Sequence, residues 1–166
     1  MTPIQFPEKI ITFLSQVPSI DIGYGGFTFC QPDDLLKAQV GYSIDSKKNT
    51  ILKGIEGEWK KEWVVIGVDD LVGDPIFVDT HSKLFVVMTA EPSTTWDPYP
   101  IADSLENFSA IIAQLAVLSV NRSTPKEWDI NPLSEKEKKA FLTVVATNNP
   151  DSEIGYWENF LDLDLD

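Results

Sequence analysis

The stretch Glu58 to Asp79, EWKKEWVVIGVDDLVGDPIFVD, limits the folds open to this chain more than any other. Val64, Val65, Ile66 and Val68 form an apolar run broken only by Gly67. A strand with one wet face alternates polar and apolar residues, so this run reads as a strand covered on both faces, at the centre of a sheet. Asp69-Asp70 ends it. Gly73-Asp74-Pro75 then supplies a turn, because Gly tolerates positive φ, Asp bonds its own backbone and Pro fixes φ. Ile76-Phe77-Val78 re-enters the sheet up to Asp79. The expected product is two antiparallel strands joined by an acidic connection, with Gly73 in a special backbone conformation.

Around this pair the elements follow from periodicity and punctuation. Pro7 to Gln16 predicts a short helix with Ile10, Ile11, Phe13, Leu14 and Val17 inward, stopped by Pro18. Gly23-Tyr-Gly-Gly reads as a turn and Phe27 to Cys30 as a strand; a phosphate-cradling loop would need a helix to follow it. Pro32-Asp33-Asp34 starts a short helix through Ala38, its acids near the positive end of the helix dipole. Val40 to Ile44 reads as a strand, and Asp45 to Gly57 as a polar connection with a turn tip at Asn49-Thr50. Lys83 to Thr89 gives a third strong strand after a turn at Thr80-His81-Ser82. Glu91 to Pro100 is a loop whose Trp96 and Tyr99 either fold back onto the sheet or stay exposed.

Asp103 is expected to cap the next helix, with Glu106 completing a capping box. Leu105, Phe108, Ile111, Ile112, Leu115 and Leu118 recur at three- and four-residue steps, so one stripe should lie across the sheet. Asn121 to Pro132 reads as a connector pinned by Trp128. Ser134 to Glu137 is a second capping box before a helix burying Phe141, Leu142, Val144 and Val145 and ending at Asn148-Asn149-Pro150. Ser152 to Leu161 gives a last helix, and the final six residues either form an edge strand or fray. The whole, residues 1–166, reads as one α+β domain: a mainly antiparallel sheet of about five or six strands packed with helices.

Charge excludes some functions. With 26 acidic against 13 basic residues and a net charge of −13, the chain is a poor ligand for nucleic acid, whose phosphates are bound by Lys and Arg. Basic partners, or simple solubility, are the expected consequences. A single cysteine, Cys30, precludes an internal disulfide and favours a reduced, cytoplasmic setting. No signal peptide or membrane span is expected.

The search for chemistry returns little. His81 is the only histidine, and a tight turn beside Ser82 does not supply a nucleophile and a separately oriented base. One His and one Cys do not build a zinc site, and Asp69, Asp70, Asp74 and Asp79 lack the spacing of a calcium loop. Two carboxylates suffice for glycoside hydrolysis, but a chain this acidic brings some pair into range by chance. No cofactor, metal or catalytic residue is expected, and the chain reads as a binding protein rather than an enzyme.

The order Trp59, Trp63-Val-Val-Ile-Gly67, an acidic pair, Gly73-Asp74-Pro75-Ile-Phe-Val-Asp79, then Trp96, the helix near Asp103 and Tyr156-Trp157-Glu158 resembles the SMI1/KNR4 family, also called the SUKH superfamily. The resemblance spans the chain from about Phe27 onward. It makes Trp59, Trp63, Gly67, Gly73, Pro75 and Trp157 structural markers. It implies a bacterial immunity protein that binds and neutralises a cognate polymorphic toxin, often a nuclease; some relatives are instead regulators linked to cell-wall synthesis. A nuclease must present Lys and Arg to phosphate, so an acidic inhibitor would be steered to that same surface. From Glu62 to Asn121 the chain carries nine acids and one base, Lys83, which points to Asp69, Asp70, Asp74, Asp79, Trp96 and Asp97 as partner-binding residues. Neutralising Asp69, Asp70 and Asp74 together is then expected to slow association and leave the fold intact. A regulatory or scaffold module is the alternative reading, and a carboxylate hydrolase a distant third.

Overall fold

Trp63–Asp69 (β3) and Pro75–Asp79 (β4) lie at the centre of the sheet, paired antiparallel as the apolar run requires. The computed structural model describes residues 4–162. Ile20–Ile22 (β1) and Gly25–Phe29 (β2) precede the central pair; Val86–Thr89 (β5) and Tyr99–Ala102 (β6) follow it. The six strands run in chain order, each antiparallel to the next, so the sheet is a meander. The helices are α1 (Glu8–Gln16), α2 (Leu35–Ala38) after a 3-10 turn at Pro32–Asp34, α3 (Leu105–Leu118), α4 (Pro125–Ile130), α5 (Glu135–Asn148) and α6 (Ile154–Leu161).

Successive strand side chains point to opposite faces, and here both faces are buried. Val64, Ile66, Ile76, Val78 and Val87 join Phe27 and Phe29 against the apolar faces of α1, α3, α5 and α6. Trp63, Val65 and Phe77 face the other way, into a smaller aromatic cluster with Trp59 and Ala90. Long loops rather than helices cover that second face, and they contribute Tyr42, Leu52 and Trp96. Trp59 is the hub, 4.5 Å from Phe77, 4.9 Å from Tyr42 and 5.1 Å from Trp96 between ring centroids.

Gly67 has a steric reason to be glycine. The register slips between Val65 and Gly67, so Ile66 is an extra residue without an opposite partner on β4, the pattern of a β-bulge. A Cβ on Gly67 would lie 2.5 Å from the Thr28 carbonyl oxygen and 2.9 Å from the Phe29 ring. Gly73 is different: its φ is +80°, with open space around the Cβ position. Its requirement is conformational, since nothing lies within 4 Å of that position. Gly73→Val should therefore destabilise by about 1 to 3 kcal/mol through left-handed strain. Val72→Ala, at an exposed position, should stay within about 0.5 kcal/mol. Urea titration of both variants checks the difference, and equal midpoints would remove the role given to Gly73.

Several sequence expectations are corrected. Val40 to Ile44 is not a strand but a series of turns with isolated bridges. The side chain of Gln39, 3% exposed, explains why. Its Nε2 donates to the Val65 carbonyl and its Oε1 accepts from the Val65 amide, so an amide side chain takes the place of a strand beside this part of β3. The tip of the next connection lies at Asp45–Lys48 rather than Asn49-Thr50: Lys48 N–H donates to the Asp45 carbonyl, and Lys48 has φ +67°. Residues Lys83 to Phe85 stay outside β5. Ser82 Oγ bridges Asp79 and Val86, Phe85 is left-handed at φ +57°, and Leu84 is exposed.

Ser104, not Asp103, caps α3 by accepting from Asn107 N–H, and Glu106 makes no capping box. Asp103 instead accepts from Ser152 Oγ at 2.6 Å and the Asp151 amide at 3.3 Å, tying the start of α3 to the approach to α6. Strands β1 and β6 and helix α4 are additions to the sequence reading. Ile11 and Val144, expected inward, are partly exposed. The capping box at Ser134 and Glu137 and the stop at Asn149 are as expected. The expected last four residues of the tail lie outside the described residues.

Candidate functional site

The acidic turn between β3 and β4 is knitted by its own backbone. Asp69 N–H donates to the Asp74 carbonyl, and Gly73 N–H donates to the Asp69 carbonyl at 2.7 Å. The Asp69 side chain lies inside this turn at 4% exposure. Its Oδ1 accepts from the Leu71 amide at 2.9 Å and its Oδ2 from the Tyr156 hydroxyl at 2.8 Å. That second bond joins the turn to α6. Burial and the adjacent Asp69 push the Tyr156 phenol well above its ordinary range, so it remains a donor.

Where β3, β4, β6 and α6 meet, they leave a recess of about 530 Å³. Asp74 and Glu153 line it together with Tyr99, Tyr156 and Asn159, and Val72 stands at its edge. Glu153 is held there by its amide, which donates to the Pro100 carbonyl of β6 at 2.9 Å. The Tyr99 and Tyr156 rings lie 6.4 Å apart. The field is negative throughout. Burial, then Asp69, then Glu91 raise the Asp74 carboxyl above its usual range; burial and the carboxylates of Asp74, Asp69, Glu153 and Glu91 raise the Tyr99 phenol. Among the described residues the ion pairs are Arg122–Glu137 and Lys138–Glu135, and neither belongs to this recess.

A raised carboxyl means that the fold disfavours its charged form. That penalty is present at neutral pH, shrinks as pH falls through the folded pKa, and is gone once both folded and unfolded states are protonated. Asp74→Asn should therefore melt higher than the parent at neutral pH. The gap should close on acidification to about pH 3, below the ordinary aspartate pKa. Thermal melts of the two proteins across that range check the sign, and a variant less stable at neutral pH would refute it.

The predicted partner-binding residues do not gather in one place. Asp74 belongs to the recess. Asp70 is exposed close by and accepts from Thr28 Oγ1, and Asp97 is exposed on the loop before β6. Asp79 sits at the far end of β4, opposite Trp63, and caps its own turn by accepting from His81 N–H. Trp96 folds back, half-buried against Trp59, with its amide bonded to the Gly57 carbonyl. Asp69 stands apart: it is buried and accepts two hydrogen bonds, so a change there acts on stability as well as on charge. Asp69→Ala, which strands the Tyr156 hydroxyl and the Leu71 amide, should cost about 2 to 3 kcal/mol. Asp70→Asn should cost under about 0.5 kcal/mol. A denaturant series settles it, since equal midpoints would remove the structural role of Asp69.

Tyr99, Glu153, Tyr156 and Asn159 escaped the sequence reading as site residues. The spacing of Glu153, Tyr156 and Phe160 marks a helix face, yet its contact with Asp69 joins residues 87 positions apart. His81 is exposed in its turn. Burial pushes the Cys30 thiol up to about 11, which disfavours the nucleophilic thiolate. Among the described residues no cluster of three or more His, Cys, Asp or Glu could hold a metal ion, and no helix is long and apolar enough to cross a membrane. Comparison with protein-family models, curated proteins and solved structures gives no match.

Proposed function

We propose that this chain is a non-catalytic immunity protein that binds and neutralises a basic protein toxin. The observation that carries the reading is the unbalanced negative charge at the Asp74 end of the sheet. Burial, then Asp69 and Glu91, raise the Asp74 carboxyl, and among the described residues no ion pair involves Asp74 or Glu153. A fold that keeps such repulsion is better suited to an external cation than to stability alone. The resemblance to the SMI1/KNR4 family, carried by the central hairpin and Trp157, supports the same reading.

A toxin with a phosphate-binding surface offers the complementary field, which would speed encounter and weaken with salt as the screening length falls from ~10 Å at 0.1 M to ~3 Å at 1 M. The test is co-expression with the protein encoded beside this chain, with survival and complex formation as readouts. Protection together with a stable complex is expected. Failure to protect, combined with a growth or cell-wall defect on deletion, would favour the regulatory alternative.

A further inference from the structure

We infer that the recess between the β3–β4 turn, β6 and α6 is a receptacle for an arginine side chain presented by the basic partner protein. The inference takes the identity of the partner class from the proposed function, and its placement from the recess itself.

Two independent features define it. One is shape and surface: a cavity of about 530 Å³ whose rim exposes Val72 at 62% and Tyr99 at 36%. Exposed tyrosine beside an aliphatic residue is the composition of an interface anchor point, because a rigid aromatic buries much area at little entropy cost. The other feature is charge. Asp74 and Glu153 bring carboxylates from two sides, Asn159 adds an amide, and no Lys or Arg lines the recess.

Arginine matches both features better than lysine does. Its guanidinium is planar, stacks on aromatic faces and presents a fork of donors that pairs with carboxylates in two-point contacts; an ammonium is a compact, strongly hydrated charge without a face. The hydrogen bond from Tyr156 to Asp69 also matters. With Asp69 satisfied by Tyr156 and Leu71, the wall of the recess is fixed before a partner arrives, so less ordering is required on binding.

The test uses the full chain, isotope-labelled, titrated with capped octa-arginine and octa-lysine peptides of equal charge at moderate salt. Octa-arginine should shift the amide signals of Val72, Asp74, Tyr99, Gly155 and Asn159 first and should bind at least fivefold more tightly than octa-lysine. Asp74→Asn with Glu153→Gln should weaken octa-arginine tenfold or more, and Tyr99→Leu should narrow the preference over octa-lysine. None of these three side chains donates or accepts an internal hydrogen bond among the described residues, and circular dichroism verifies that the variants fold. Equal affinity for the two peptides, or shifts spread evenly over the acidic surface, would overturn the inference. The two proposals fail separately. A chain that binds octa-arginine at the recess yet protects no cell loses the toxin reading alone; one whose Asp74→Asn, Glu153→Gln, Tyr99→Leu variant protects as well as the parent loses the receptacle alone.

Discussion

Replacing Ile66 with aspartate is expected to leave the chain largely unfolded. Ile66 has no exposed surface and sits among the apolar side chains between the sheet and the helices. It is the extra residue of the β3 bulge, held by the Cys30 amide bonding to its carbonyl at 3.0 Å, so the backbone cannot rotate the new side chain outward without breaking the ladder. A carboxylate there would be neither hydrated nor paired. It would have to take up a proton or displace its neighbours, and either route costs several kcal/mol, on top of about 2 kcal/mol of lost apolar burial. Domains of this kind have roughly 5 to 15 kcal/mol in total. Far-UV circular dichroism and a thermal melt provide the check. A cooperative transition within a few degrees of the parent would mean that Ile66 is not in the core.

The central hairpin was legible because one rule decides it. An apolar run bounded by Asp69-Asp70 and Gly73-Asp74-Pro75 has few alternatives, and local chemistry and global placement agree. The helices α3 and α5 were readable from periodicity, and the cap of α5 from its Ser and Glu spacing. The errors arose where a side chain substituted for backbone. Gln39 reads as an ordinary polar residue, yet it completes the hydrogen bonding of Val65 and leaves residues 40–44 free to turn. Asp103 carries the residue type of a cap, but Ser104 beside it does the capping, and Asp103 is committed to Ser152.

The candidate site was less legible for a related reason. Acidic residues abound in this chain, so sequence alone gave Asp69, Asp70 and Asp74 equal standing. Burial separates them: Asp69 is an internal acceptor, Asp74 half-faces the recess, and Asp70 is at the surface. What completes the recess comes from α6, more than 70 residues after Asp74 in the chain, and no local pattern links the two. Long-range pairing of this sort is decided by how α6 docks on β6.

That docking depends on Trp157, and Trp157→Ala is expected to be the most damaging truncation in the protein. The indole has no exposed surface. It lies 5.0 Å from Tyr156, 5.7 Å from Phe160, 5.9 Å from Phe27 and 6.1 Å from Phe141 between ring centroids. Its Nε1 donates to the Ile101 carbonyl at 2.8 Å, on β6. Truncation removes the packing from helix, strand and aromatic neighbours together, at about 3 to 5 kcal/mol, and leaves the Ile101 carbonyl without this donor, about 1 kcal/mol more. For a domain of this size that corresponds to a fall of roughly 10 °C or more in Tm. Trp96→Ala makes a demanding control, because Trp96 is half-buried among loops and should cost clearly less. Trp157→Phe should fall between the two, retaining a ring but not the bond to Ile101. The loss should reach the recess as well, since α6 carries Glu153 at its start and Tyr156 beside the indole. At temperatures where Trp157→Ala is still folded, it should bind octa-arginine more weakly than the parent. Equal melting of Trp157→Ala and Trp96→Ala would show that α6 is held to the sheet by something other than its tryptophan.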